Sequence, residues 1–383
     1  MSKASIRTAQ HSKPIVALIL LASLSLRESL PVFAASFEDA LKKGTALLKE
    51  RGKEQEALKF LEEAVSLQPN SSQSLLRRGQ AYGSLGQRDK AIADYTSALK
   101  NDPNCAECYR RRGIQYYFLQ HDNNALADLD QAVKLNPKDA IAYNARGSIY
   151  QTRLGDPDRA VKDYELALRA DPDFALAHGS MGNIYRDRHE YDDALKEYNA
   201  AIRLSPNELL YLNRGILCDQ MGQPDKAIED FTEAIRLDPT LQEAYFGRAN
   251  VYLESNNDYD KAIHDFEECI RVNPNGAKGY AYLAKAEQLS KRYGSAISHY
   301  AKALDLKPDL YDVFINRGCM YNDLGKYREA IADFTKAIEI DPEEDFPYFN
   351  RAQSYRATGQ RDLAAKDEAM AATRQHKVNR VEY

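Results

Sequence analysis

Small and apolar positions fall three and four residues apart along most of this chain, and the whole pattern restarts after about 34 residues. Residues 313–342 show it most cleanly. An Arg-Gly pair ends at Gly318, Tyr321 follows three residues later, and Gly325 breaks the run. Ala330, Phe334 and Ala337 then resume the spacing before Pro342 closes it. Residues three and four apart share one face of an α-helix, so each half predicts an amphipathic helix. A Gly or Asn between the halves predicts a turn, and the proline predicts a stop. The unit is two antiparallel helices whose small residues let the backbones approach while aromatics fill the space beside them.

The closing proline recurs at Pro69, Pro103, Pro137, Pro172, Pro206, Pro239, Pro274, Pro308 and Pro342, at intervals of 33–35 residues. So steady a period marks a repeat array and overrides any division into domains from length alone. The small slot of the first helix is refilled by Gly79, Gly113, Gly147, Gly182, Gly215, Ala249, Ala284, Gly318 and Ala352, usually with tyrosine three residues later. Cys218 and Glu287 are the departures from that tyrosine. Ten units are counted, the first and last degraded, as expected where one face of a terminal unit meets solvent. Units four and seven carry an extra residue in the turn, at Leu154–Pro157 and Ser255–Asp258.

The unit resembles the tetratricopeptide repeat. The tryptophan common early in that repeat is absent, and Tyr109, Tyr143, Tyr211, Tyr245, Tyr280, Phe314 and Tyr348 hold its slot. The resemblance implies an all-α, right-handed superhelical solenoid of tandem helix pairs over residues 35–376. It also implies a concave groove, lined by first helices, that holds segments of partner proteins. Arg110, Ile114, Tyr117, Asn144, Ser148, Gln151, Asn183, Arg186, Asp187, Asn250 and Asn322 are the residues it places there. No Lys–Asn set on consecutive units matches the clamp with which some members hold a chaperone's acidic C-terminus.

Charge sits on this framework in a coupled way. Arg precedes the first-helix small residue at Arg78, Arg112, Arg146, Arg214, Arg248, Arg317 and Arg351. The same seven units place Asp one residue before the second-helix aromatic slot, at Asp94, Asp128, Asp163, Asp230, Asp265, Asp333 and Asp367. The other units hold Gly44, Met181 and Leu283 at the first slot and Phe60, Glu197 and His299 at the second. Arg and Asp therefore occur together or not at all. In unit nine they stand equidistant from Gly325, and a hairpin brings such residues to one level. This predicts a bridge clipping the two helices; the rival reading is an arginine ladder for acidic ligands. Units five and eight, lacking the pair, are expected to be softer joints.

The two ends differ from the array. Lys3, Arg7 and Lys13 precede a twelve-residue apolar run from Ile15 to Leu26, too short for a membrane span, and Val32-Phe33-Ala34 offers small residues before a cut. Residues 1–34 thus read as a signal peptide, with a periplasmic or secreted location and no membrane span after cleavage; an uncleaved anchor is the alternative. Residues 377–383 read as a short tail. The net charge of −5 falls to about −8 without the leader, and an acidic array with no basic tract argues against nucleic acid as partner.

Candidate chemistry is sparse. No phosphate loop, His-Glu-x-x-His pattern or placed nucleophile appears, and neither cofactor nor metal is expected. Cys105 and Cys108 stand at a handover between units and read as a candidate local disulfide, with Cys218, Cys269 and Cys319 in repeat slots. Three readings compete: a non-catalytic protein-binding scaffold, an assembly or regulatory subunit of a cell-envelope or secretory enzyme complex, and a Cys-x-x-Cys thiol-redox protein.

Overall fold

Each second helix of repeats one to nine stops because a proline follows it. Proline has no N–H to continue the helical ladder, and it drives the preceding residue out of the helical region. The residues before Pro69, Pro103, Pro172 and Pro342 accordingly take ψ between 83° and 97°. The computed structural model describes residues 36–378, which fold into helices joined by short turns, with no strand among the described residues. The leader expected over residues 1–34 lies outside them.

Ten helix pairs follow one another. Repeat one is α1 (Phe37–Leu47) with α2 (Glu54–Leu67), repeat two α3 (Ser72–Ser84) with α4 (Arg88–Asn101), and repeat three α5 (Ala106–Phe118) with α6 (Asp122–Leu135). Repeat four is α7 (Ala140–Thr152) with α8 (Pro157–Ala170), repeat five α9 (Ala175–Asp187) with α10 (Tyr191–Leu204), and repeat six α11 (Glu208–Gln220) with α12 (Pro224–Leu237). Repeat seven is α13 (Gln242–Glu254) with α14 (Tyr259–Val272), and repeat eight α15 (Ala277–Leu289) with α16 (Tyr293–Leu306). Repeat nine is α17 (Tyr311–Asp323) with α18 (Tyr327–Ile340), and repeat ten α19 (Phe346–Ala357) with α20 (Arg361–Val378). The last helix thus takes in the first two residues of the expected tail.

The architecture is all-α, a solenoid of packed helix pairs in two compact parts. The first part, ending at Pro172, holds repeats one to four; the second, from Asp173, holds repeats five to ten. Within each part neighbouring first helices also touch, as α3 touches α5 and α15 touches α17, so first helices share one face.

The core of each repeat forms where its two helices cross. A Cβ on Gly318 would stand 2.9 Å from Phe334 Cε1, so the ring lies directly against bare backbone. Phe334 is fully buried, as are Tyr95, Tyr164, Tyr198, Phe231, Phe266 and Tyr300 in the equivalent slot. Burying a phenylalanine this way contributes about 1.5–3 kcal/mol.

Each turn contains one left-handed residue. Gly52, Gly86, Gly155, Gly222, Gly325 and Gly359 supply six, and Asn257 a seventh. The sequence reading expects Gly or Asn throughout, but repeats three, five and eight use Gln120, His189 and Lys291, at φ of 61°, 60° and 63°. Helix packing on either side imposes the turn even where the side chain disfavours it.

Repeat one requires a correction. Spacing assigns Gly44 to the arginine slot, but the structure places it in the small slot, where a Cβ would meet Leu61 Cγ at 2.6 Å. The connection in this repeat is one residue longer, which shifts the register. Lys43 holds the arginine slot, and its Nζ lies 4.2 Å from the centre of the Phe60 ring.

Candidate functional site

Each of the seven Arg–Asp pairs forms in the structure, and each forms the same way. Arg Nε donates to one carboxylate oxygen and Nη2 to the other, at 2.6–2.9 Å. The aspartates are 1–6% exposed. Aromatic slots flank the guanidinium: Arg317 Cζ lies 5.9 Å from the ring centres of both Phe314 and Tyr321. These arginines point between their own two helices, so they hold the hairpin rather than form a ladder for acidic ligands.

The aspartate bond is the largest influence on Arg78, Arg112, Arg146 and Arg214, raising each above its ordinary pKa against burial. Burial lifts Asp333 above the usual carboxylate range, against the pull of Arg317. The two short, parallel bonds nonetheless identify that pair as ionised.

Repeats five and eight are not open at this level. In repeat five, His178 Nδ1 lies 2.5 Å from Glu197 Oε2. In repeat eight, His299 Nδ1 lies 2.7 Å from Glu287 Oε2. Glu197 and His299 occupy the aspartate slot, while His178 and Glu287 stand one turn to either side of the arginine slot. With Lys43 over Phe60, every repeat carries a cross-helix contact here.

Five of the arginines also reach the preceding repeat. The Nη1 groups of Arg112, Arg248 and Arg351 donate to Thr96, Thr232 and Thr335 at 2.9–3.0 Å. Those of Arg146 and Arg214 donate to Asp130 and Asn199 at 2.7 and 2.6 Å. The acceptor always stands two residues after the aspartate slot. For Arg317 that position is Ala301, which offers none.

The residues expected on the first-helix face divide into two groups. Gln151 and Asn183 accept the hydroxyls of the buried Tyr164 and Tyr198, at 2.8 and 2.6 Å, and Ser148 lies 3.4 Å from the Tyr164 hydroxyl. Arg186 donates to Asn213 and Asp187, and Asn322 accepts from Ser354 at 2.6 Å. These side chains serve the scaffold itself. The second group is less committed. Asn144 Oδ1 and Asn250 Oδ1 are buried with no hydrogen-bond partner. Tyr117 presents its ring to Arg153, whose guanidinium lies 5.3 Å from the ring centre. Arg110 Nε is 2.9 Å from Asp139 Oδ2, a contact that lacks hydrogen-bond alignment.

Ile114, Arg110 and Arg111 line a cavity of about 190 Å³ with Gln80, Gln115 and Tyr95. Burial pushes the Tyr95 hydroxyl up to about 12, partly offset by Arg111. The sequence reading missed Arg77, Glu107 and Arg111: Glu107 accepts from Arg77 at 3.0 Å and from Arg111 at 2.7 Å. Their signal was the doubled arginine. In Arg77-Arg78 and Arg111-Arg112 the second is the clip, and the first projects about 100° round the helix.

Cys105 and Cys108 are joined, with Cα atoms 5.2 Å apart. Cys105 caps the N-terminus of α5, half-buried, its Sγ accepting the Cys108 N–H at 3.1 Å. Cys108 is fully buried. The other three cysteines are single, and burial pushes Cys319 up to about 11. Among the described residues there is no acidic, His or Cys group arranged to hold a metal, and no helix long and apolar enough to cross a membrane.

Models of the tetratricopeptide repeat match residues 72–105, 209–241 and 311–344, and again 151–208 and 253–311, together more than half the chain. A model of anaphase-promoting complex subunit 5 matches residues 6–82. The human DnaJ homolog subfamily C member 7 is 37% identical over 70 residues, 17% of this chain and 14% of that protein. The human mitochondrial import receptor subunit TOM70 is 26% identical over 132 residues, 33% of this chain and 22% of that protein. The matches thus span less than a quarter of these relatives. Among solved structures, the APC/C hetero-tetramer Cut9–Hcn1 superposes with a TM-score of 0.51 at 20% identity, covering 84% of this chain and 63% of that one, a likeness of fold alone.

Proposed function

This chain belongs to the tetratricopeptide-repeat family, and from that premise we propose that it is a scaffold that holds extended segments of partner proteins along the first-helix face of its compact parts. One observation supports the reading most. Asn144 and Asn250 each present a buried, unpartnered carbonyl oxygen from a first helix. A buried acceptor left unpaired costs about 1–3 kcal/mol, so turning either side chain outward to accept a backbone N–H of a bound segment recovers that cost. Ile114 and Tyr117, half-buried on the first helix of repeat three, add aliphatic and aromatic surface to the same face.

A photo-crosslinking residue introduced at Ile114 tests this in the compartment where the chain resides. Adducts with polypeptide are expected from that position and not from Lys134, on a second helix. Adducts from Lys134 alone would overturn it.

We further place the protein in an exported compartment, on the basic start and the short apolar run before Ala34. Mass spectrometry of the native N-terminus is expected to find Ala35 first. A chain beginning at Met1 in the soluble fraction overturns the export reading without touching the scaffold.

A further inference from the structure

We infer that Cys105 and Cys108 form a thiol–disulfide exchange centre, with Cys105 the attacking sulfur and Cys108 the resolving one, acting on accessible disulfides of polypeptides. Four observations converge on this pair. The two sulfurs are within bonding reach without distortion of the helix that carries them, since Cys105 caps α5 and Cys108 stands in its first turn. They differ sharply in access: Cys105 is half-buried and reachable, while Cys108 is fully enclosed in the core of repeats one to three. Cys105 Sγ already accepts the Cys108 N–H, so a helix N-terminus faces the sulfur that would carry negative charge. Cationic side chains crowd the same turn. Glu107, between the cysteines, bonds Arg77 and Arg111, and Arg110 Nη2 lies 3.9 Å from it. With Asp139, which Arg110 approaches at 2.9 Å, two carboxylates face three guanidiniums, which leaves a net positive charge about the first two turns of α5. Cys218, Cys269 and Cys319 share none of this: they are single, and burial disfavours their thiolates.

The step balances without a cofactor. From the reduced pair, the Cys105 thiolate attacks one sulfur of a target disulfide. The target S–S bond breaks, and the pair of electrons leaves on the other target sulfur, which takes a proton. The enclosed Cys108 thiol then attacks Cys105 Sγ, passing its proton to the target sulfur that departs. The Cys105–Cys108 bond forms as the mixed bond breaks, and the first target sulfur departs carrying the proton from Cys108. The target gains two electrons and two protons, and the cysteine pair loses the same. Run in reverse, the oxidised pair accepts electrons from a target dithiol. Glutathione disulfide carries the same S–S bond and so shares the required chemistry.

The test uses the full chain under native conditions. Cys108→Ala, given excess oxidised glutathione, is expected to take up one glutathione at Cys105. Cys105→Ala is expected to react at Cys108 at least about tenfold more slowly, because exchange follows thiolate character and access. Equal rates, or reaction only in denaturant, would overturn the assignment. The unaltered chain guards against a folding defect in either variant. Reduced and then offered a disulfide-bonded peptide, it is expected to lose two thiols, mapped to Cys105 and Cys108 by alkylation and mass spectrometry, as the peptide gains two. Loss of thiol at Cys319 instead, or none, defeats the proposal. Faster exchange with the peptide than with oxidised glutathione assigns polypeptide disulfides as the substrate, and the opposite order removes that class.

Discussion

Arg317 and Asp333 stand sixteen residues apart and meet through two parallel bonds, Nε to Oδ2 at 2.8 Å and Nη2 to Oδ1 at 2.7 Å. The arginine side chain is 16% exposed and the aspartate 7%. The asymmetry decides what each loss costs. Arg317→Ala leaves a carboxylate buried without its cation, for which about 3–5 kcal/mol is expected. Asp333→Ala should cost less, because the arginine stem can carry its guanidinium toward water. The double variant should fall short of the sum by about 0.5–3 kcal/mol. Denaturant unfolding of the four proteins, with hydrogen exchange followed in repeat nine, measures this. Additive costs would show that the two residues act independently.

Repeat eight reaches the same end with other residues, and that makes it testable by restoration. Leu283 is 2% exposed in the arginine slot, while Glu287 and His299 carry the contact. Leu283→Arg alone buries a cation without its partner, and His299→Asp alone sets a carboxylate against Glu287. Each should destabilise by about 1–3 kcal/mol. The triple change with Glu287→Tyr rebuilds the arrangement of repeat nine and should recover stability beyond any of its parts. If the triple variant unfolds as early as the worst single, the slots are not interchangeable between repeats.

The array and its clip were legible in the sequence for a common reason. A glycine against a ring, or an aspartate inside a hairpin, is tolerated only with a particular partner at a fixed spacing, so the partners recur together. Where the partner is displaced by one turn, as with His178 and Glu287, that spacing is lost and repeats five and eight look unclipped. Gln151 and Asn183 were misleading for another reason. Both lie on first helices and are polar, as a groove residue would be, but each caps the hydroxyl of a tyrosine on the second helix. Their role depends on contacts through space that period alone does not report. Lys43 shows how one inserted residue in a turn shifts the slots of a whole repeat.

The third contact of the clip arginines predicts a gain. Arg112, Arg248 and Arg351 each donate Nη1 to a threonine of the preceding repeat, whereas Arg317 faces Ala301. Ala301→Thr should supply the missing acceptor and stabilise the join between repeats eight and nine by about 0.5–1.5 kcal/mol, less the small helix cost of a β-branched residue. Hydrogen exchange in α16 and α17 should slow. The gain should vanish in an Arg317→Ala background; if it persists there, it does not come from the arginine.

Left-handed turn residues give the last prediction, and here the two directions check one another. Gly325 and Lys291 occupy equivalent turns at φ of 69° and 63°. Nothing lies within 4 Å of a Cβ built on Gly325, so Gly325→Ala incurs backbone strain and no clash. It should cost about 1–2 kcal/mol, as the left-handed helical region does for residues with a side chain. Lys291→Gly removes the same strain in repeat eight, offset by the greater freedom glycine brings to the unfolded chain. A net gain of about 0.5–1 kcal/mol is expected. Thermal unfolding of the two variants beside the parent chain reads both signs. If Lys291→Gly lowered the midpoint, the lysine would have to be contributing a contact that outweighs its conformation, and lysine-to-alanine replacement at that position would then lower it further still.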